Sequence, residues 1–254
     1  GDGVKEIMLL GQNVNSYGND LRAKGETDSL TFPGLLEKVC DIDGIERIRF
    51  MSSHPKDLSD ELIDVMAGNT KICRHLHLAM QSGSNRILKS MNRHYTREHY
   101  IELALKIRDR IPDMALTTDI IIGFPGEELC DVEDTIDAVN TVGFDNAFTF
   151  IYSIRSGTPA AKMEQVDPEL AKKHFDMVLA AVQENARKRA GRYQGQVLDA
   201  LAEEINEHDP DLITGRLSNN TIVHFKGGKE LIGRILPVEL TECRGFYYLG
   251  KIRG

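Results

Sequence analysis

With 254 residues, the chain has room for a sizeable core, arranged as one large domain or two modest ones. A formal net charge of −8 excludes an overall basic field for nucleic acid, so an RNA partner would have to be held by a local patch. No apolar run approaches the roughly 20 residues of a membrane span and no signal-peptide pattern is visible, which argues for a cytoplasmic protein.

The first segment, Val4 to Leu10, reads as a short apolar strand ending at Gly11-Gln12-Asn13. An opening on a buried strand without a lead-in reads as a sequence that starts mid-fold. A polar loop, Asn19 to Asp28, precedes a helix around Phe32 to Val39, with Leu35, Leu36 and Val39 at helical spacing. Arg47 to Met51 is a second strand, ending at Ser52-Ser53-His54-Pro55. The helix after it, Ser59 to Met66, is stopped by Gly68-Asn69. His75 to Met80 is a third strand, ending at Gln81-Ser82-Gly83-Ser84. Thr96 caps a long helix with Tyr100, Leu103, Ala104 and Ile107 on one face.

Ala115 to Glu128 (ALTTDIIIGFPGEE) is the most telling stretch: a buried strand, a Pro-Gly turn and paired acids that open a helix, here Cys130 to Val142. Asn146 to Ile154 is the last strand of the series. Strands alternating with helices through short loops predict a parallel sheet, either a doubly wound sheet or an incomplete barrel. Asp167-Pro168 then starts a helix to about Arg189, with Leu170, Phe175, Val178, Leu179 and Val182 facing inward. Arg187, Lys188, Arg189 and Arg192 suit either the negative end of the helix dipole or an RNA-facing surface.

From Gly195 the texture changes to short β-rich runs: Gln196–Ile205, Ile213–Arg216, Thr221–Phe225, Leu231–Leu240 and Phe246–Ile252. They predict a small five-stranded barrel, an architecture that often binds nucleic acid. Its acids gather at Glu203 to Asp211, while bases dominate beyond Leu212, so one basic face is expected.

Each strand of the first part ends in small, polar or glycine residues, and in a parallel barrel these ends build one pocket. Amides, hydroxyls and glycine backbone suit a polar, uncharged small molecule such as a nucleoside. The dense glycine loop or lysine of a phosphate site is missing. Cys40, Cys73, Cys130 and Cys243 match no metal or disulfide spacing, and three of them fall in or beside apolar patterns expected to bury the thiol. His75 and His77 share a strand face but lack a third ligand, so no metal site is expected.

The segments LLGQNVNSYG, RIRFMSSHP, LHLAMQSGSNRILKSMNRHYT, TDIIIGFPGE, FDNAFTFIYSIRSGTPAA and GRLSNNTIVHFKG, in this order, resemble the radical SAM methylthiotransferases. The resemblance is specifically to the tRNA enzymes that add a methylthio group to isopentenyladenosine beside the anticodon. The resemblance implies an α/β fold: an incomplete (β/α) radical SAM barrel missing its first strand over residues 1–190, then a small all-β TRAM barrel over residues 191–254. It implies S-adenosylmethionine across the strand ends, with Gly11, Gln12 and Asn13 at its methionine group and Ser52 also in the pocket. Gln81 and Ser82 would face the cofactor or its ribose, and Asp119 and Gly123 the ribose and adenine. RNA contacts to a tRNA anticodon stem-loop would come from Arg155, Arg216, Lys226, Lys229 and Arg234, in a monomer.

The family's CxxxCxxC loop for one [4Fe-4S] cluster, and the preceding domain with three cysteines for a second, are not in this sequence. The intact enzyme's two clusters therefore have their ligands outside this chain, and the chain by itself is expected to be inert. Ala79 stands where the family usually has proline, as do Ile154 and Ser156 beside Arg155. Rival readings are a sister enzyme acting on threonylcarbamoyladenosine in tRNA or on a ribosomal-protein aspartate, and a non-catalytic RNA-binding module.

Overall fold

The computed structural model describes residues 3–25, 30–51 and 53–254. Five parallel strands follow one another in chain order: β1 (Glu6–Leu9), β2 (Arg47–Phe50), β3 (His75–His77), β4 (Ala115–Ile122) and β5 (Asn146–Ile151). Regular pairing links β1 to β2 and β3 to β4 to β5. Between β2 and β3 the sheet is carried by single bridges, Ile48 to Ile72 and Ser53 to Leu78. No described strand pairs β1 with β5, so the sheet is an open barrel.

Among the described residues seven α-helices accompany it: α1 (Asn19–Ala23), α2 (Phe32–Cys40), α3 (Asp60–Gly68), α4 (Asn85–Ser90), α5 (Arg97–Arg110), α6 (Leu129–Val142) and α7 (Pro168–Ala190). The starts of α2, α3, α5, α6 and α7 follow from their capping residues. Thr31, Ser59 and Thr96 each accept from the backbone N–H three residues on, and Asp167 accepts from Glu169 and Leu170. Glu128 and Asp131 form a reciprocal capping box, and α6 ends at Gly143 in the left-handed region.

Strand residues facing the helices are apolar: Ile48, Phe50, Leu76, Leu116, Ile120 and Ile122 join Phe32, Leu36, Leu62, Tyr100, Ile107 and Val139 in one core. α7 faces inward differently from the expectation. Leu170 is 42% exposed, and the buried stripe is Ala171, His174, Val178, Val182 and Asn185, because His174 turns in to meet Glu127. α1 lies within the stretch expected to be a loop, of which residues 26–28 are outside the described residues, and α4 occupies residues expected to be irregular. Of the cysteines, Cys40 and Cys73 are buried as expected, Cys243 is half-buried and Cys130 is exposed.

The C-terminal strands β6 (Val197–Ile205), β7 (Leu212–Leu217), β8 (Ile222–Lys226), β9 (Ile235–Cys243) and β10 (Tyr247–Ile252) close into a barrel in the order β10-β8-β7-β6-β9. All its pairs are antiparallel except β8 with β10. Ala200, Ile213, Val223, Phe225, Val238, Leu240 and Tyr248 fill it.

This small barrel closes the floor of the large one. The turn after β7 seats on two arginines that point into the open barrel from β2. Arg47 donates to the carbonyls of Arg216 and Asp199, and Arg49 to those of Leu217 and Ser218. Arg49 is 1% exposed and also ion-pairs with Glu6 of β1 at 3.1 Å. Tyr193 Oη donates to the Asp113 carbonyl at 3.1 Å and Tyr248 Oη to that of Ala190.

Candidate functional site

At the carboxyl end of β1, Gly11 and Gln12 are exposed and Asn13 is half-buried. Asn13 Nδ2 donates to Asp57 Oδ2 at 2.8 Å, and Asn15 exchanges two hydrogen bonds with the His54 backbone. The turns after β1 and β2 are thereby stapled together. Within them Asn13 Oδ1 and Ser53 Oγ are buried without a partner among the described residues; Ser52 itself lies outside those residues. At the end of β5, Tyr152 Oη is in the same condition. A buried polar atom without a partner costs about 1–3 kcal/mol, and three of them follow the carboxyl ends of three strands. That is where parallel barrels hold ligands.

Gln81 and Ser82 are 7% and 2% exposed. Gln81 has φ 67°, a left-handed value uncommon outside glycine. Its N–H donates to the Asp119 carbonyl at 2.8 Å and its carbonyl accepts from Ile121 at 2.9 Å, which ties the turn to β4. Tyr95 and Tyr100, from the segment after α4 and from α5, donate their hydroxyls to the carbonyls of Leu78, Ala79 and Met80. Gly83 presses against α6, where a Cβ would lie 2.4 Å from Thr135 Cα. Ser84 Oγ donates to Asp131 Oδ1 at 2.6 Å, and Arg86 pairs with the same carboxylate. Burial pushes the Asp131 carboxyl up, but hydrogen bonds from Arg86 and Ser84 outweigh it and leave it below the usual range.

Asp119 points into the barrel, 32% exposed, and meets His77 Nε2 at 3.3 Å. His77 Nδ1 and His75 Nε2 both bond Thr117 Oγ1, at 3.1 and 3.0 Å, so a continuous hydrogen-bonded line runs down the barrel from Asp119 to His75. His75 Nδ1 has no partner among the described residues, and burial pushes the ring down to about 3 from its ordinary 6.5. The unfolded chain therefore takes up this proton below about pH 6.5 while the folded chain refuses it. Stability is expected to fall on acidification between those values, by up to about 1.4 kcal/mol per pH unit from this group. His75→Gln should flatten the slope of unfolding free energy against pH by about one proton; an unchanged slope would show that His75 does not carry it.

Gly123, at φ 73°, donates its N–H to Glu127 Oε1 at 2.9 Å, and a Cβ there would lie 2.9 Å from that of Ala171. Turn conformation and close packing of α7 thus both require glycine. Glu127 meets His174 at 3.2 Å, and burial pushes its carboxyl up.

The residues expected to contact RNA do not gather in one place. Arg155 is exposed just beyond β5. Arg216 is paired with Glu203 at 2.7 Å. Lys226, the last residue of β8, and Lys229 and Arg234 on the connection to β9 are exposed, at the end of the small barrel opposite the turn that enters the large one. The tyrosine clamps, the Ser84–Asp131–Arg86 group and the arginine floor were missed from sequence; each joins residues distant in the chain.

An open parallel β/α barrel with polar strand ends, joined to a closed five-stranded barrel, defines the class. The radical SAM superfamily model matches residues 1–139 and the TRAM domain model residues 191–252. The chain belongs to the radical SAM superfamily and carries a TRAM domain. It is 52% identical over 251 residues to the tRNA-2-methylthio-N(6)-dimethylallyladenosine synthase of Lachnoclostridium phytofermentans, covering 98% of this chain and 54% of that protein. Its identity to the synthase of the same name from Alkaliphilus oremlandii is 48% over 252 residues, 99% of this chain and 52% of that one. The chain thus spans about half the length of the curated relatives it matches. Among solved structures, coproporphyrinogen III oxidase (HemN) from Escherichia coli shares the fold at a TM-score of 0.50 and 14% identity, over 60% of this chain and 37% of that one. No described helix is long and apolar enough to cross a membrane.

Proposed function

We propose that the chain is the cofactor-binding and RNA-contacting part of a cytoplasmic tRNA methylthiotransferase, which places a methylthio group on the adenine ring of isopentenyladenosine beside the anticodon. Identity of about half over nearly the whole chain to synthases named for that product supports this. The observation that carries it is the set of buried, unpartnered polar atoms at the strand ends, Asn13 Oδ1, Ser53 Oγ and Tyr152 Oη. They can hydrogen-bond a polar ligand such as S-adenosylmethionine, through its ammonium, carboxylate or ribose hydroxyls, and that cofactor would supply the transferable methyl group and the radical source.

In this reading Gly11, Gln12, Asn13 and Ser52 hold the methionine part, Gln81 and Ser82 lie beside the ribose, and Asp119 and Gly123 line the nucleoside side. Asp119 already accepts from His77, which fixes its carboxylate at the barrel wall. The division of the chain near residue 190 belongs to the same proposal, as do RNA contacts from Arg155, Arg216, Lys226, Lys229 and Arg234. Iron–sulfur clusters do not fit the residues present: among the described residues no three His, Cys, Asp or Glu side chains group to hold a metal. In this reading the cluster ligands belong to a part of the intact enzyme outside this chain.

Deleting the gene that encodes the chain should leave isopentenyladenosine without its methylthio group, read by mass spectrometry of nucleosides from bulk tRNA. A complementing copy with Asn13→Ala should restore the modification only weakly. Full methylthio content in the deletion strain would overturn the proposal.

A further inference from the structure

A cavity of about 170 Å³ lies where the small barrel meets the large one, at the opposite end of β3 to β5 from Gln81, Ser82 and Gly123. His75, Thr117, Asn146 and Phe148 line it from the strands, and Asn219 and Phe246 from the small barrel. Its size is close to that of cavities of about 150 Å³ that hold one benzene, and below the roughly 300 Å³ at which pockets for drug-sized ligands begin. One ring system fits, and a whole nucleotide does not.

The lining is suited to a flat heterocycle. Phe148 is 48% exposed and Phe246 76%, large apolar rings left facing solvent. His75 is 2% exposed, and its Nδ1 has no partner among the described residues. Amides from Asn146 and Asn219 can donate or accept at a base edge.

The rim adds charge. Arg108, Arg189 and Arg192 all pair with the one carboxylate of Asp145, so three positive charges meet one negative and two are left over, in a chain of net charge −8. Arg108 is committed to the carbonyls of Met114, Val142 and Gly143. The side chains of Arg189 and Arg192 are about a quarter exposed, and both line the cavity. Guanidinium groups of this kind hold phosphate.

We infer that this cavity takes the base of one unpaired RNA nucleotide, stacked on Phe148 and Phe246, with its phosphate on Arg189 and Arg192. The inference rests on the RNA reading above and adds a second grip on the RNA, away from the strand ends assigned to the cofactor.

The test is an abasic scan of an anticodon stem-loop RNA, one unpaired position at a time, with affinity for this chain read by fluorescence polarisation. One position should lose about tenfold in affinity when its base is removed, within the range of base–aromatic stacking. Phe246→Ala, a change at an exposed residue that the fold tolerates, should abolish that particular loss. Equal binding of all the abasic RNAs, or a loss that persists in Phe246→Ala, would overturn the base pocket while leaving the RNA reading intact. Absence of any RNA binding would overturn both.

Discussion

Arg49→Ala is expected to destabilise the folded chain by about 3 kcal/mol or more, the scale of removing one partner from a buried ion pair. Arg49 is almost wholly enclosed and makes four bonds, two to Glu6 and two to the carbonyls of Leu217 and Ser218. Its loss leaves the Glu6 carboxylate poorly solvated, with Arg47 and the Cys73 thiol each 3.9 Å away, and takes the guanidinium from the Ser218 carbonyl. Urea unfolding is the measurement, and a midpoint within error of the parent would sink the prediction. Glu6→Leu combined with Arg49→Met should recover part of the loss, because the stranded Glu6 carboxylate is then gone and Arg47 keeps the carbonyls of Arg216 and Asp199. The same floor warns against testing the RNA role by deleting residues 191–254. That deletion removes the carbonyl partners of both Arg47 and Arg49, so lost binding would report a damaged barrel.

Gly83→Ala is expected to cost about 1–3 kcal/mol through overpacking and to weaken S-adenosylmethionine binding as well. The added methyl would meet Thr135 Cα at 2.4 Å and the Asp134 carbonyl at 2.7 Å, both backbone of α6 and unable to rotate away. Relief must come from the turn itself, and that turn carries Gln81 and Ser82. Thermal melting and calorimetric titration of the intact enzyme with S-adenosylmethionine read the two effects separately. A stable variant with unaltered cofactor affinity would show that the turn does not shape the pocket.

Much of the architecture was legible because local rules agree along the chain. Short apolar strands, capping threonine, serine and aspartate, and Gly143 all mark boundaries that the structure keeps within a few residues. The misses have local causes too. α1 and α4 are 5 and 6 residues long, too short for helical periodicity to register. β3 ends at His77 although the apolar run continues to Met80, because beyond it only single bridges to neighbouring strands remain.

The site was legible as a set of polar strand ends, and less so in what each residue does. Gly123 was expected beside the adenine, yet α7 packing is enough to demand glycine there. The roles of Arg47 and Arg49 were hidden for a different reason. Their partners lie 152 to 169 residues downstream, and nothing in the segment RIRFM records them.

That distance has a consequence during synthesis. The floor of the large barrel cannot be filled until β10, translated long after β2, has slotted beside β8 and β9. At about 5–20 residues per second the wait after β2 emerges is on the order of ten seconds. An apolar floor would spend that interval as a sticky patch open to other nascent chains. A floor of two arginines and a glutamate spends it hydrated, and gives up its water only when the turn after β7 arrives.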